Sequence, residues 1–209
     1  LAQLALFQGL RPEVLVALCE ASRVFPVSKY EPVVWVGDCA SELFVILRGS
    51  VKRAMLSASG QERVMAIMGP GESFGDAECI GAQRYAAAVT ALEPTTIVAI
   101  NFLTMKQQIE REPALALRLL ELLAERQFAL DSDIACGFFQ SGGERVLDYL
   151  LLLAHPLPCA TRASSGTICF TLPANKQTIA SRIGMTPETL SRSLRELHEA
   201  GLLTVERRT

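Results

Sequence analysis

The chain has 209 residues, half of them hydrophobic and a fifth charged, with a formal net charge of −2. That composition describes a core-forming protein of one large domain or two modest ones. It excludes a helical membrane span: the longest apolar run, residues 146–154, is broken by Asp148 and falls far short of the about eighteen residues required.

Charge is unevenly divided. From Gly142 onward eight basic residues face six acidic ones; before it, twelve face sixteen. Ordinary solvated surface explains that asymmetry as well as a nucleic-acid partner does, so charge alone does not decide the function. Six cysteines (Cys19, Cys39, Cys79, Cys136, Cys159 and Cys169) lie far apart with no C-x-x-C pair. The spacing fits neither a zinc ribbon nor a clustered iron–sulfur centre, and the expectation is mostly buried thiols in a reducing cytoplasm. No signal peptide is recognisable, and a start at Leu1 leaves an upstream leader open.

Residues 21–101 read as strands. Short β-branched and aromatic runs at 33–36, 43–47, 51–56, 63–68, 86–92 and 95–100 alternate with turns such as Gly37-Asp38, Ser59-Gly60 and Gly69-Pro70-Gly71. Turn signals about every ten residues predict an antiparallel sandwich or roll rather than βαβ units.

From Phe102 to about Gln140 the period becomes helical. Pro113 suits a first helical turn, and Gly142-Gly143 is expected to close the far end. Leu119, Leu123, Leu130, Ile134 and Phe138 fall on one stripe, and Leu117, Leu120 and Phe128 widen it. Two apolar faces on one long helix predict packing on its own domain and on a partner copy.

Beyond Gly142 a helix over residues 144–154 is expected, then a Pro/Ser/Ala-rich loop over 156–166 and a strand over 167–172. Two helices and a last strand at 202–205 follow. The chain ends at Thr209, where a hairpin partner is expected, so further residues are expected past it.

Residues 174–197 carry the grammar of a helix-turn-helix. Ile179, Ala180 and Ile183 form the apolar side of the first helix, and Gly184 supplies the turn. Thr186 is placed to cap the second helix, with Pro187 at its first position. Leu190, Leu194 and Leu197 face inward, leaving Glu188, Ser191, Arg192 and Arg195 outward. A carboxylate accepts from cytosine, a guanidinium grips guanine or a phosphate, and a serine hydroxyl serves either. Thr178, Thr186 and Thr189 complete the candidate DNA-binding set.

The order of roll, long helix and C-terminal winged helix resembles the CRP/FNR family (cyclic-AMP receptor / fumarate-nitrate regulator) along essentially the whole chain. The carrying residues are Gly37-Asp38-x-Ala40-x-x-Leu43-Phe44-Val45-Ile46-x-x-Gly49-x-Val51, Gly60-x-Glu62 and Gly69-x-Gly71-x-x-Phe74-Gly75-Asp76. The resemblance implies an α+β protein: a cyclic-nucleotide-binding-type β-roll (jelly roll, 1–101), a dimerisation helix and hinge (102–141) and a winged helix-turn-helix (142–209). It also implies a homodimer that binds double-stranded DNA and RNA polymerase.

Glu188-x-x-Ser191-Arg192 is similar to the recognition signature of the fumarate-nitrate branch, which implies TTGA-type half-sites with these three residues as base readers. With Pro187 and Thr189 it also resembles the nitric-oxide-responsive subgroup.

The effector pocket implied by the resemblance takes in Phe74, Gly75, Asp76, Arg84, Tyr85 and Ala86. Cyclic-AMP binders of the family carry an Arg-Ser pair where this chain has Tyr85 and Ala86. Arg84 is one residue out of register, which turns a strand side chain to the other face. The resemblance therefore argues against cyclic AMP. An iron–sulfur sensor would need an N-terminal cysteine cluster that these residues lack. A haem would need a ligand other than histidine, since neither His155 nor His198 lies in the roll. The effector stays open.

Other classes fare worse. A metal cupin needs a histidine cluster, a cyclic-nucleotide module of a signalling protein has no use for a reading helix, and a hydrolase would need an elbow motif that does not occur.

Overall fold

The computed structural model describes residues 4–154, 161–162 and 168–205. The chain divides into two compact units, residues 1–129 and 130–209.

The first unit has a short 3-10 turn (Ala5–Phe7) and then α1 (Pro12–Glu20), neither of which the sequence reading identified. Eight strands follow: β1 (Ser22–Val27), β2 (Pro32–Val34), β3 (Glu42–Arg48), β4 (Val51–Leu56), β5 (Glu62–Met68), β6 (Ser73–Phe74), β7 (Ala88–Ala91) and β8 (Thr95–Asn101). They form two four-stranded sheets in the orders β1-β8-β3-β6 and β2-β7-β4-β5, with antiparallel pairing. The chain crosses from one sheet to the other repeatedly, which is the jelly-roll expectation realised.

Period-2 alternation explains the two longest apolar runs. In β3, Phe44 and Ile46 point into the core between the sheets, whereas Leu43 and Val45 point to a second core under α1. In β8, Ile97 and Ala99 join the first core, Val98 and Ile100 the second. A sheet buried on both faces needs hydrophobic side chains at every position, so its strands read as unbroken runs.

α2 (Phe102–Arg111) is capped by Asn101, whose side chain accepts the Thr104 N–H at 3.2 Å. Pro113 then starts α3 (Pro113–Phe139), a helix of 27 residues. Its far end departs from expectation: Gly142-Gly143 opens the next helix, α4 (Gly142–Ala154), rather than closing α3. Ser141 and Glu144 explain why, because they form a reciprocal capping box. The Ser141 N–H donates to Glu144 Oε2 at 2.7 Å, and the Glu144 N–H to Ser141 Oγ at 3.4 Å.

The second unit continues with β9 (Thr161–Arg162) paired to β10 (Ile168–Cys169), then α5 (Lys176–Arg182) and α6 (Pro187–Glu199). The expected 156–166 loop and most of its neighbourhood lie outside the described residues. The strand expected at 202–205 does not form, since no described strand pairs with it. The backbone there closes α6 instead. Gly201, at φ +72°, donates to the His198 carbonyl at 2.9 Å, and Leu202 donates to that of Leu197 at 3.0 Å.

The cysteine expectation is corrected too. Among the described residues the cysteines are unpaired thiols; Cys79 is buried, Cys136 half-buried, and Cys19, Cys39 and Cys169 are exposed. Burial, aided by the nearby Glu78 and Asp76 carboxylates, pushes the Cys79 thiol up to about 12. Native protein treated with iodoacetamide at pH 8 is therefore expected to be alkylated at Cys19 and Cys39 and spared at Cys79. Peptide mass mapping checks this, and labelling of Cys79 at the rate of Cys39 would contradict the packing described.

Candidate nucleic-acid interface and sensor turn

The reading head is built from two capped helices. Asn175 caps α5 by accepting the Thr178 N–H at 2.9 Å, and Ile179, Ala180 and Ile183 are buried. Gly184 sits at φ +72°, a left-handed conformation that strains any residue with a Cβ. Thr186 Oγ1 then accepts the Thr189 N–H at 3.3 Å, and Pro187 occupies the first helical position of α6.

In α6 the inward side is Leu190, Ser193, Leu194 and Leu197, all buried. Glu188, Arg192 and Arg195 are exposed on the other side, with Ser191 and Thr189 half-buried and Thr186 exposed. Arg192 and Arg195 form no ion pair among the described residues, so both guanidinium groups face solvent uncommitted. Hydrogen bonds from its own backbone and from Thr186 hold the exposed Glu188 carboxyl below the usual carboxylate range, so it is an acceptor at neutral pH. Thr178 departs from this set: it is only 6 % exposed and packs inside the reading head.

Two contacts that the sequence reading missed orient this head. Arg182, at the end of α5, pairs with Asp133 of α3 at 2.8 Å. Arg145 of α4 donates to the carbonyls of Ile183 and Gly184. Nothing in the local sequence distinguishes either arginine from a surface residue.

The sensor turn belongs to the first unit. Phe74 stacks on Phe44 with ring centroids 4.9 Å apart. Gly75 is at φ +90°, and a Cβ there would meet the Glu42 carbonyl at 2.7 Å, so the turn admits only glycine. Asp76, 1 % exposed, is gripped by Arg126 of α3 at 2.7 and 2.6 Å, and Arg126 also bonds the Ser73 carbonyl. The Arg126 guanidinium thus adds an ionic tie between the long helix and the roll to the packing of Leu115 and Leu119. Arg126 is another residue missed by the sequence reading; flanked by Glu125 and Gln127, it reads locally as an ordinary surface cation.

Of the remaining pocket candidates, Tyr85 is buried and its hydroxyl donates to the Glu42 carbonyl at 3.2 Å. Burial raises its pKa, so it stays a neutral phenol. Arg84 is exposed and committed to the Gly37 carbonyl at 2.7 Å, and Ala86 is exposed. Phe74, Gly75, Asp76 and Tyr85 therefore come together, while Arg84 and Ala86 lie apart from them. A recess of about 330 Å³ beside Tyr85 is lined by Val33, Val34, Asp38, Glu42 and Phe44 among others.

Along α3 the expected interface stripe is split. Leu119 is 3 % exposed, already used by its own unit, and Leu123 is half-buried. Leu130, Ile134 and Phe138 are exposed, as are Phe128 and Phe139.

A model of the cyclic nucleotide-binding domain matches residues 24–112, and one of the Crp-like helix-turn-helix domain matches residues 144–209. Over 200 residues the chain is 31% identical to the cyclic AMP receptor protein of Thermus thermophilus, covering 95% of this chain and 87% of that protein. The chain belongs to the CRP/FNR family of transcription regulators. FixK2 from Bradyrhizobium japonicum shares the CRP/FNR fold with a TM-score of 0.77 at 22% identity, covering 90% of this chain and 89% of that one. The sensor domain of the regulator DNR from Pseudomonas aeruginosa matches 63% of this chain and 88% of its own, with a TM-score of 0.57 and 24% identity. CRP/FNR regulators bind DNA, dimerise and contact RNA polymerase; the matched relatives are regulators rather than enzymes. Among the described residues no helix is long and apolar enough to cross a membrane.

Removing Arg126 leaves the Asp76 carboxylate buried and unpaired. Arg126→Ala is expected to lower the unfolding free energy by about 2–3 kcal/mol, partly recovered when Asp76→Asn is added. Urea titration of the single and double variants measures this.

Proposed function

We propose that this CRP/FNR chain acts in the cytoplasm as an effector-gated homodimer that reads a palindrome with TTGA-like half-sites through Glu188, Ser191 and Arg192. The observation that carries the reading is the outward face of α6. It offers a charged acceptor, a hydroxyl and an uncommitted guanidinium along the N-terminal half of a capped helix. The branch signature Glu188-x-x-Ser191-Arg192 supplies the half-site, and Thr186, Thr189 and Arg195 are assigned to the flanking backbone and edges.

A second copy is favoured by Leu130, Ile134 and Phe138, which water does not hold cheaply. Two reading helices must then span successive major grooves about 34 Å apart, so an effector that alters the helix pair alters DNA affinity. RNA polymerase is the expected protein partner.

The effector is a small molecule or gas other than cyclic AMP. The cyclic-AMP binders that this chain resembles carry an Arg-Ser pair, which cradles the cyclic phosphate, where this chain has Tyr85 and Ala86. Those positions carry a phenol bonded to backbone and a methyl group. Each missing charge-assisted bond forfeits about 1.5–3 kcal/mol.

Arg192→Ala is expected to lower affinity for a TTGA palindrome by about 1–3 kcal/mol with dimerisation intact. Fluorescence anisotropy checks it, and equal binding of variant and parent would remove Arg192 from the base readers. Titration calorimetry with millimolar cyclic AMP is expected to give no binding heat; a micromolar isotherm would overturn the argument from Tyr85 and Ala86.

A further inference from the structure

The turn between α5 and α6 is gripped by a side chain from a different helix. Arg145 Nη1 donates to the carbonyl oxygens of Ile183 at 3.2 Å and Gly184 at 3.3 Å. Ile183 is the C-terminal cap of α5, so these carbonyls have no partner within that helix. A guanidinium there also meets the negative end of the α5 dipole. Arg145 Nε is buried without a partner, and no carboxylate pairs with the guanidinium among the described residues. The two carbonyl bonds are therefore what hold this cation in place.

The same end of α4 also touches α6. A Cβ built on Gly142 would lie 3.5 Å from Ser193 Oγ and 3.9 Å from Thr189 Cγ2. So the first turns of α4 lie along the inward side of the reading helix while Arg145 holds the turn that launches it. Residues 140 and 141, just before, separate α3 from α4.

We propose that Arg145 is a positioning residue for sequence reading. It fixes the direction in which α6 leaves Gly184, and thereby the placement of Glu188, Ser191 and Arg192, without touching DNA. The inference rests on the assignment of those three as base readers. Base-edge hydrogen bonds need their donors held to about 0.5 Å, whereas phosphate contacts from long basic side chains accommodate larger shifts. Loss of Arg145 therefore erodes discrimination between sequences before it erodes total affinity.

The test uses the full chain and a duplex recovered from a random library by selection with the parent protein, so that it does not depend on TTGA. Binding of parent, Arg145→Met and Arg145→Lys is measured on that duplex and on a scrambled one at matched salt, beside the melting temperature of each protein. Arg145→Met is expected to weaken the selected duplex about tenfold, the lower range for one lost bidentate contact, with scrambled binding held within about twofold. Arg145→Lys, whose ammonium reaches one carbonyl, is expected to recover part of the ratio.

An unchanged ratio, or equal proportional losses on both duplexes, overturns the proposal and leaves Arg145 a fold-supporting residue. Should Arg145→Met fail to fold, Arg145→Lys decides: the parent ratio at the parent melting temperature overturns it. Failure of the base-reader assignment shows separately, as Arg192→Ala binding the selected duplex like the parent.

Discussion

A helix of 27 residues with apolar side chains on more than one side cannot bury them all against a single roll, and that constraint shapes the rest of the molecule. Near its start Leu115 and Leu119 are buried in the first unit. Farther along, Phe138 is 81% exposed and Phe139 87% exposed. Their hydration cost is an argument for a partner helix, because contiguous apolar surface of this kind is uncommon on monomers. The same helix carries Arg126 to Asp76 within the first unit and Asp133 to Arg182 of α5 within the second.

The sensor turn differs in kind from an empty receptor. Asp76 already has a charged partner, and Ser73 shares it. A ligand entering beside this turn must either leave that ion pair alone or offer equivalent hydrogen bonds, since a buried carboxylate stripped of its partner is costly.

Much of this was legible in the sequence, for reasons that differ by element. The caps of α6 were readable because Thr186 and Pro187 act on neighbouring backbone, and local chemistry leaves local marks. The strands were readable because β3 and β8, buried on both faces, must be continuously apolar. What escaped depended on distant partners. Arg126, Arg145 and Arg182 look alike in sequence; only the fold sets one against a carboxylate in a turn, one against carbonyls and one against Asp133. Thr178 and Leu119 carry the right chemistry for DNA and for a partner copy, yet their own units had already buried them. Gly142-Gly143 read as a stop because glycine favours helix ends, and the Ser141–Glu144 box made it a start.

Strand pairing in the roll spans the whole sensor segment: Ser22 lies opposite Ile100, and Val27 opposite Thr95. The first strand made therefore waits, with its edge open, until the last has left the ribosome. Pairings so distant in sequence close slowly, whereas α5 and α6 fold on neighbours a few residues away. An incomplete roll exposes the apolar runs of β3, so its assembly is the step most open to aggregation. The reading head is synthesised after the roll and, with its contacts close in sequence, needs less time.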